Sequence, residues 1–133
     1  MKTFTDLQAW QVGLELVKEI YRLTKKFPKE ELYGLTSQMR RSSVSILANI
    51  AEGFGRFTYP DKANKYTIAR GECSETEAFL LIAIALGFVS TAETQKAMER
   101  TQRVGRLVSG LITSCKHRSK FPVPSTPVFQ SPV

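Results

Sequence analysis

The chain has 133 residues, 42% of them hydrophobic, and carries 19 Lys and Arg against 12 Asp and Glu, a formal net charge of +7. That length suits one domain burying roughly two-thirds of its unfolded surface, and two lone cysteines, Cys73 and Cys115, argue against a disulfide framework or a cysteine zinc site. No stretch is apolar for long enough to cross a bilayer of about 30 Å and the N-terminus has no apolar signal segment, so a cytoplasmic protein is expected.

Taken in chain order, the first signal is Thr5-Asp6-Leu7-Gln8, a capping-box pattern that predicts a helix from there to Phe27-Pro28. Its apolar positions form two stripes, one through Leu7, Trp10, Leu14 and Val17 and one through Val12, Leu16, Ile20 and Leu23, so the helix needs neighbours on two sides. A second helix is predicted over Leu32 to Gly53, closed by Gly53-Phe54-Gly55 because glycine readily takes a left-handed terminal conformation. A third begins near Tyr59-Pro60-Asp61, with proline suited to the first helical position, and ends at Gly87. A fourth opens with the capping box Ser90-Thr91-Ala92-Glu93 and continues to about His117. The expected fold is therefore all-α: an antiparallel up-down-up-down four-helix bundle over residues 1–118, followed over 119–133 by an extended or disordered proline-rich tail.

Three groups of residues are candidates for more than folding. At about 100° per residue, Arg41, Ser45, Asn49 and Glu52 share one stripe of the second helix. The third helix has small residues at Ala63, Thr67, Gly71, Ser74, Ala78 and Ala85 and the second a matching low-bulk strip of Ser42, Ser45, Ala48 and Asn49, so the two helices are expected to pack face to face with Arg41, Asn49, Glu52 and Glu75 satisfying one another. The distal third helix, from Phe79 to Leu86, is apolar all round. In a bundle of four, that predicts cover by another subunit, through Leu81, Ile82 and Leu86. On the fourth helix Lys96, Arg100, Arg103 and Arg106 make a candidate nucleic-acid surface, since guanidinium groups bind phosphates bidentately. Between Lys96 and Lys120 the only acid is Glu99.

Signals for catalysis are weak. The single histidine, His117, stands at a helix end beside Lys116 and Arg118, and Gly53-Phe54-Gly55 lacks the lysine of a phosphate loop. Glu72, Glu75 and Glu77 are too few oxygen donors for a hard-cation site. No catalytic residue, metal, cofactor, membrane contact or small-molecule substrate is expected.

The segments Leu7-x-x-Trp10, Phe27-Pro28-x-x-Glu31-x-Tyr33-Gly34-Leu35, Gln38-x-Arg40-Arg41 and Asn49-Ile50-Ala51-Glu52-Gly53 resemble the four-helix bundle protein family, whose members include proteins encoded in intervening sequences of bacterial 23S ribosomal RNA genes. The similarity runs from about Phe4 to Lys116. More distantly, the chain is similar to the accessory variability protein of diversity-generating retroelements. That relative is a bundle that assembles as a ring-shaped pentamer and engages nucleic acid and a reverse transcriptase; what the resemblance implies for this chain is a homo-oligomer, a pentamer, without established enzymatic activity. Leu47 and Glu72 depart from the family, which often has proline and serine there.

The leading expectation is a non-enzymatic oligomer binding RNA or DNA through basic surfaces, as a scaffold for a nucleic-acid enzyme. Its rival is a protein-protein adaptor without a nucleic-acid role. An enzyme built on Glu52, Glu75 and Arg41 ranks third.

Overall fold

A computed structural model of the chain describes residues 1–120, all but the last with their side chains. Four helices make up the fold: α1 Gln8–Thr24, α2 Leu35–Phe54, α3 Tyr59–Ala85 and α4 Thr91–Lys120. Each packs against the next and α1 also packs against α4, leaving α1 diagonal to α3 and α2 diagonal to α4. The antiparallel sense is visible where Lys26 Nζ, just past α1, meets Glu93 Oε2 at the start of α4 at 3.3 Å. At the other end Arg118 Nη1 donates to the Tyr59 hydroxyl at 3.3 Å, joining the last turns of α4 to the first of α3.

The helices form where local chemistry supports them. Ser90 and Glu93 close a reciprocal cap at α4, the Ser90 N–H donating to Glu93 Oε1 at 2.9 Å and the Glu93 N–H to Ser90 Oγ at 3.1 Å. Thr58 caps α3 by accepting from the Asp61 N–H, with Pro60 in the first turn. Gly87, at φ 77°, ends α3: its N–H reaches the Ile84 carbonyl and that of Phe88 reaches Ala83, each at 3.0 Å, a Schellman closure that needs the left-handed residue.

α1 ends at Thr24, short of Phe27-Pro28, and α2 begins at Leu35 instead of Leu32, and two helix ends use different chemistry from the sequence reading. The capping box at the N-terminus uses Thr3 and Asp6, not Thr5: Thr3 Oγ1 accepts from the Thr5 N–H at 2.9 Å and Asp6 accepts from the Thr3 N–H at 3.1 Å. It caps a short 3₁₀ turn, Phe4–Asp6, and Leu7 is extended before α1 begins. The other difference is the end of α2, where no glycine is left-handed: Gly55 is at φ -83°. Gly53 serves close approach instead, because a Cβ there would lie 2.6 Å from Tyr66 Cε1 on α3. Leu47 lies over Gly13 of α1 in the same way. Further along, α4 runs two residues past the expected bundle limit of 118, while the remaining tail, 121–133, lies outside the described residues.

The core takes Leu16, Ile20 and Leu23 from α1, Met39, Ile46 and Ile50 from α2, Tyr66 and Leu80 from α3, and Val104 and Val108 from α4, all buried. These are the positions that the 3.6-residue period selects. Burial by apolar neighbours pushes the Cys73 thiol up to about 12, so it stays protonated and unreactive at neutral pH. Gly110 of α4 has open space where a Cβ would stand. Gly110→Ala is therefore expected to raise stability by about 0.5–1 kcal/mol, the helix-propensity difference, read as an upward shift of the thermal melt.

Candidate functional site

The polar stripe of α2 divides into separate clusters instead of one network. Arg41 reaches across to α3, where Nη1 donates to Glu72 Oε2 at 3.2 Å and Nη2 pairs with Glu75. Glu72 thus supplies a second carboxylate to the same guanidinium. Its carboxyl is pushed upward by partial burial and by the neighbouring Glu75, with Arg41 opposing that. Asn49 turns back onto its own helix, donating to the Ser45 carbonyl at 2.9 Å and to Ser45 Oγ at 3.1 Å. Glu52 is exposed and pairs with Lys65 of α3 at 3.0 Å and Arg56 at 3.7 Å. The Lys65 hydrogen bond holds its carboxyl below the usual range. Asn49, Arg41, Glu52 and Glu75 therefore do not satisfy one another as a group: one-dimensional periodicity gives a shared direction, but side-chain reach decides the partner.

A buried polar contact between α2 and α3 joins Ser42 of the low-bulk strip to Thr76, which lies off the small stripe of α3: Ser42 Oγ and Thr76 Oγ1 lie 2.8 Å apart, and Thr76 also donates to the Glu72 carbonyl at 2.9 Å. Both hydroxyls are thereby paired, which a buried polar group requires. The small stripe of α3 does not face α2. Thr67, Gly71, Ser74, Ala78 and Ala85 are all exposed.

On the same outward side the distal half of α3 presents Leu81, Ile82 and Leu86, exposed to 54%, 44% and 58%. No described segment covers them. A third exposed feature is the groove between α1 and α2, about 690 Å³, lined by Tyr21, Leu32, Tyr33 and Val44 with Arg40 beside them. Arg40 is already engaged, lying 4.6 Å over the Tyr21 ring and donating from Nε to Thr24 Oγ1 at 2.9 Å.

The four basic residues of α4 split between two sides of that helix. Arg100 and Arg103 line the groove toward α1 with Gln8, Gln11 and Glu15. Lys96 is exposed nearby and, with Arg100, is among the cations that lower the Glu19 carboxyl, after its main partner Arg22. Arg106 instead lines the groove toward α3, where it meets Arg70, a residue that the α4 pattern alone could not select. Arg100 Nη1 is buried without a hydrogen-bond partner. Among the described residues, Lys96, Arg100, Arg103 and Arg106 enter no ion pair. Lys96, Arg103 and Arg106 are exposed and thus open to solvent or to an external anion, whereas Arg100 is half-buried.

Among the described residues no helix is long and apolar enough to cross a membrane, and no group of three or more His, Cys, Asp or Glu is arranged to hold a metal ion.

Comparison with known proteins adds a lineage. A crystal structure of a protein of unknown function from the S23 ribosomal protein family of Bacteroides thetaiotaomicron VPI-5482 superposes with a TM-score of 0.73 and 26% identity, over 79% of this chain and 95% of that one. The search of curated proteins gives no match. The profile of the family described as 23S rRNA-intervening sequence protein matches residues 5–110, from the N-terminal 3₁₀ turn through most of α4. With four helices in the described chain and that match over most of its length, the chain belongs to the 23S rRNA-intervening sequence protein family.

Proposed function

We propose that the protein is a non-enzymatic, homo-oligomeric helical bundle that binds the phosphates of RNA or DNA through the basic surfaces of α4. The observation that carries this reading is that Lys96, Arg100, Arg103 and Arg106 form no ion pair although carboxylates elsewhere on the surface pair readily with Lys18, Arg22, Arg41 and Lys65. The exposed guanidinium groups of Arg103 and Arg106 keep their donors for a phosphate, while Arg100 has Nη1 enclosed. Repetition of this modest surface in an oligomer, a pentamer by the family resemblance, would raise avidity through effective concentration. In this reading the bundle serves as a scaffold for a nucleic-acid enzyme in the cytoplasm.

The test is an anisotropy titration with labelled duplex DNA at several salt concentrations. Changing Lys96, Arg100, Arg103 and Arg106 together to Ala is expected to weaken binding and to reduce the log-log salt slope by about 0.9 for each phosphate that is no longer neutralised. Equal affinity and equal slope in both proteins would eliminate this surface. The adaptor reading would then lead, because the α1–α2 groove with the 92% exposed Tyr33 is the other surface suited to a partner.

A further inference from the structure

The groove between α3 and α4 holds a feature that the α4 surface alone does not explain. Arg118 meets Tyr59 at one end of this helix pair. Counting eleven residues up α3 and twelve back along α4 brings Arg70 opposite Arg106, because antiparallel helices advance by the same rise per residue. Both line one groove of about 460 Å³, with Ser74, Gln102 and Ser109 beside them. Neither arginine is in an ion pair. Glu77 lines the groove too, yet pairs with neither. Two like charges on facing helices repel unless an anion lies between them.

From this juxtaposition we infer that Arg70 and Arg106 form a two-sided clamp for the phosphodiester backbone of a single nucleic-acid strand lying along the α3–α4 groove. The inference rests on the nucleic-acid reading above and adds Arg70, the site and the strand class to it. A guanidinium from each wall can fork onto phosphate oxygens, while the Ser74 and Ser109 hydroxyls and the Gln102 amide add neutral donors. Gly105 keeps the floor low, since a Cβ there would meet open space. At about 460 Å³ the groove has room for a stretch of one backbone and not for a duplex.

The test compares four proteins by anisotropy with a labelled single-stranded RNA and the corresponding duplex, across a salt series. They are the wild type, Arg70→Gln/Arg106→Gln, a charge-matched Lys25→Gln/Lys29→Gln control at exposed positions remote from the groove, and Lys96→Ala/Arg100→Ala/Arg103→Ala. Both groove arginines are exposed, so the groove variant is expected to melt with the wild type. It is expected to bind the single strand tenfold or more weakly, with a log-log slope smaller by about 0.7 per phosphate released and a lesser effect on duplex. Equal weakening in the groove variant and the control would overturn the clamp, as would equal weakening on single strand and duplex. If the triple variant loses binding while the groove variant binds the single strand as tightly as the wild type, the α4 reading stands and the clamp falls. A wild type that binds no nucleic acid removes both.

Discussion

Ile82→Asp is expected to break the assembly into monomers that keep their helical content. In the isolated subunit Leu81, Ile82 and Leu86 are about half exposed, so an aspartate at Ile82 stays solvated and the bundle core, centred on Leu80 and Ala83 on the other side of α3, is untouched. In an oligomer that covers this face the same carboxylate would be buried without a partner, a loss of several kcal/mol. Since about 1.4 kcal/mol is a factor of ten, the dissociation constant should rise by at least about a hundredfold. Light scattering of wild type and variant, with circular dichroism on both, reads the two halves of the expectation. A monomeric wild type at micromolar concentration would remove the assembly, and a variant that unfolds would show that the face supports the subunit itself.

The second large effect is expected at Gly53. An added methyl would stand 2.6 and 2.8 Å from two carbons of the Tyr66 ring and 3.2 Å from Lys65 Cβ. Tyr66 is itself buried, its hydroxyl pushed up to about 12 by desolvation, so the ring has no free direction in which to yield. Gly53→Ala must therefore push α2 and α3 apart, and overpacking of this kind costs about 1–3 kcal/mol, more than the roughly 1 kcal/mol that alanine gains in helix propensity. Gly13→Ala is a useful contrast. Its Cβ would meet Leu47 Cδ2 at 2.7 Å, the tip of a flexible side chain that can rotate away, so the destabilisation should be smaller. Denaturant melts of the two variants rank the sites, and a Gly53→Ala protein as stable as the wild type would show that the helices are not held at this separation.

The family resemblance and the structure meet in the segment Asn49-Ile50-Ala51-Glu52-Gly53. Ile50 is core, Gly53 sets helix spacing, Asn49 bonds back onto Ser45 of its own helix and Glu52 pairs with Lys65 of α3 and with Arg56. Its specificity as a motif thus has a packing origin on α2 and α3, while the basic groups of the proposed function lie mainly on α4.

What the amino-acid sequence determined by itself was whatever depends on neighbours within about four residues. Ser90 with Glu93, Thr58 with Pro60 and Asp61, and Gly87 mark helix ends because the groups that satisfy a terminus are close in the chain. The core positions of all four helices were legible from the 3.6-residue period for the same reason. Thr3 and Thr5 both precede suitable partners, and local pattern does not choose between them; the choice follows from Leu7 being extended and buried. Only the tertiary structure decided which face meets which. Periodicity assigns a direction on one helix but not the rotation of its neighbour, so the small stripe of α3 faces outward, Arg41 finds Glu72 as well as Glu75, and Arg106 stands opposite Arg70 instead of beside Arg103. Those pairings join residues about thirty or more positions apart, and they exist because burying Leu80, Ile46, Tyr66 and Val108 leaves the helices one rotation that satisfies all four at once.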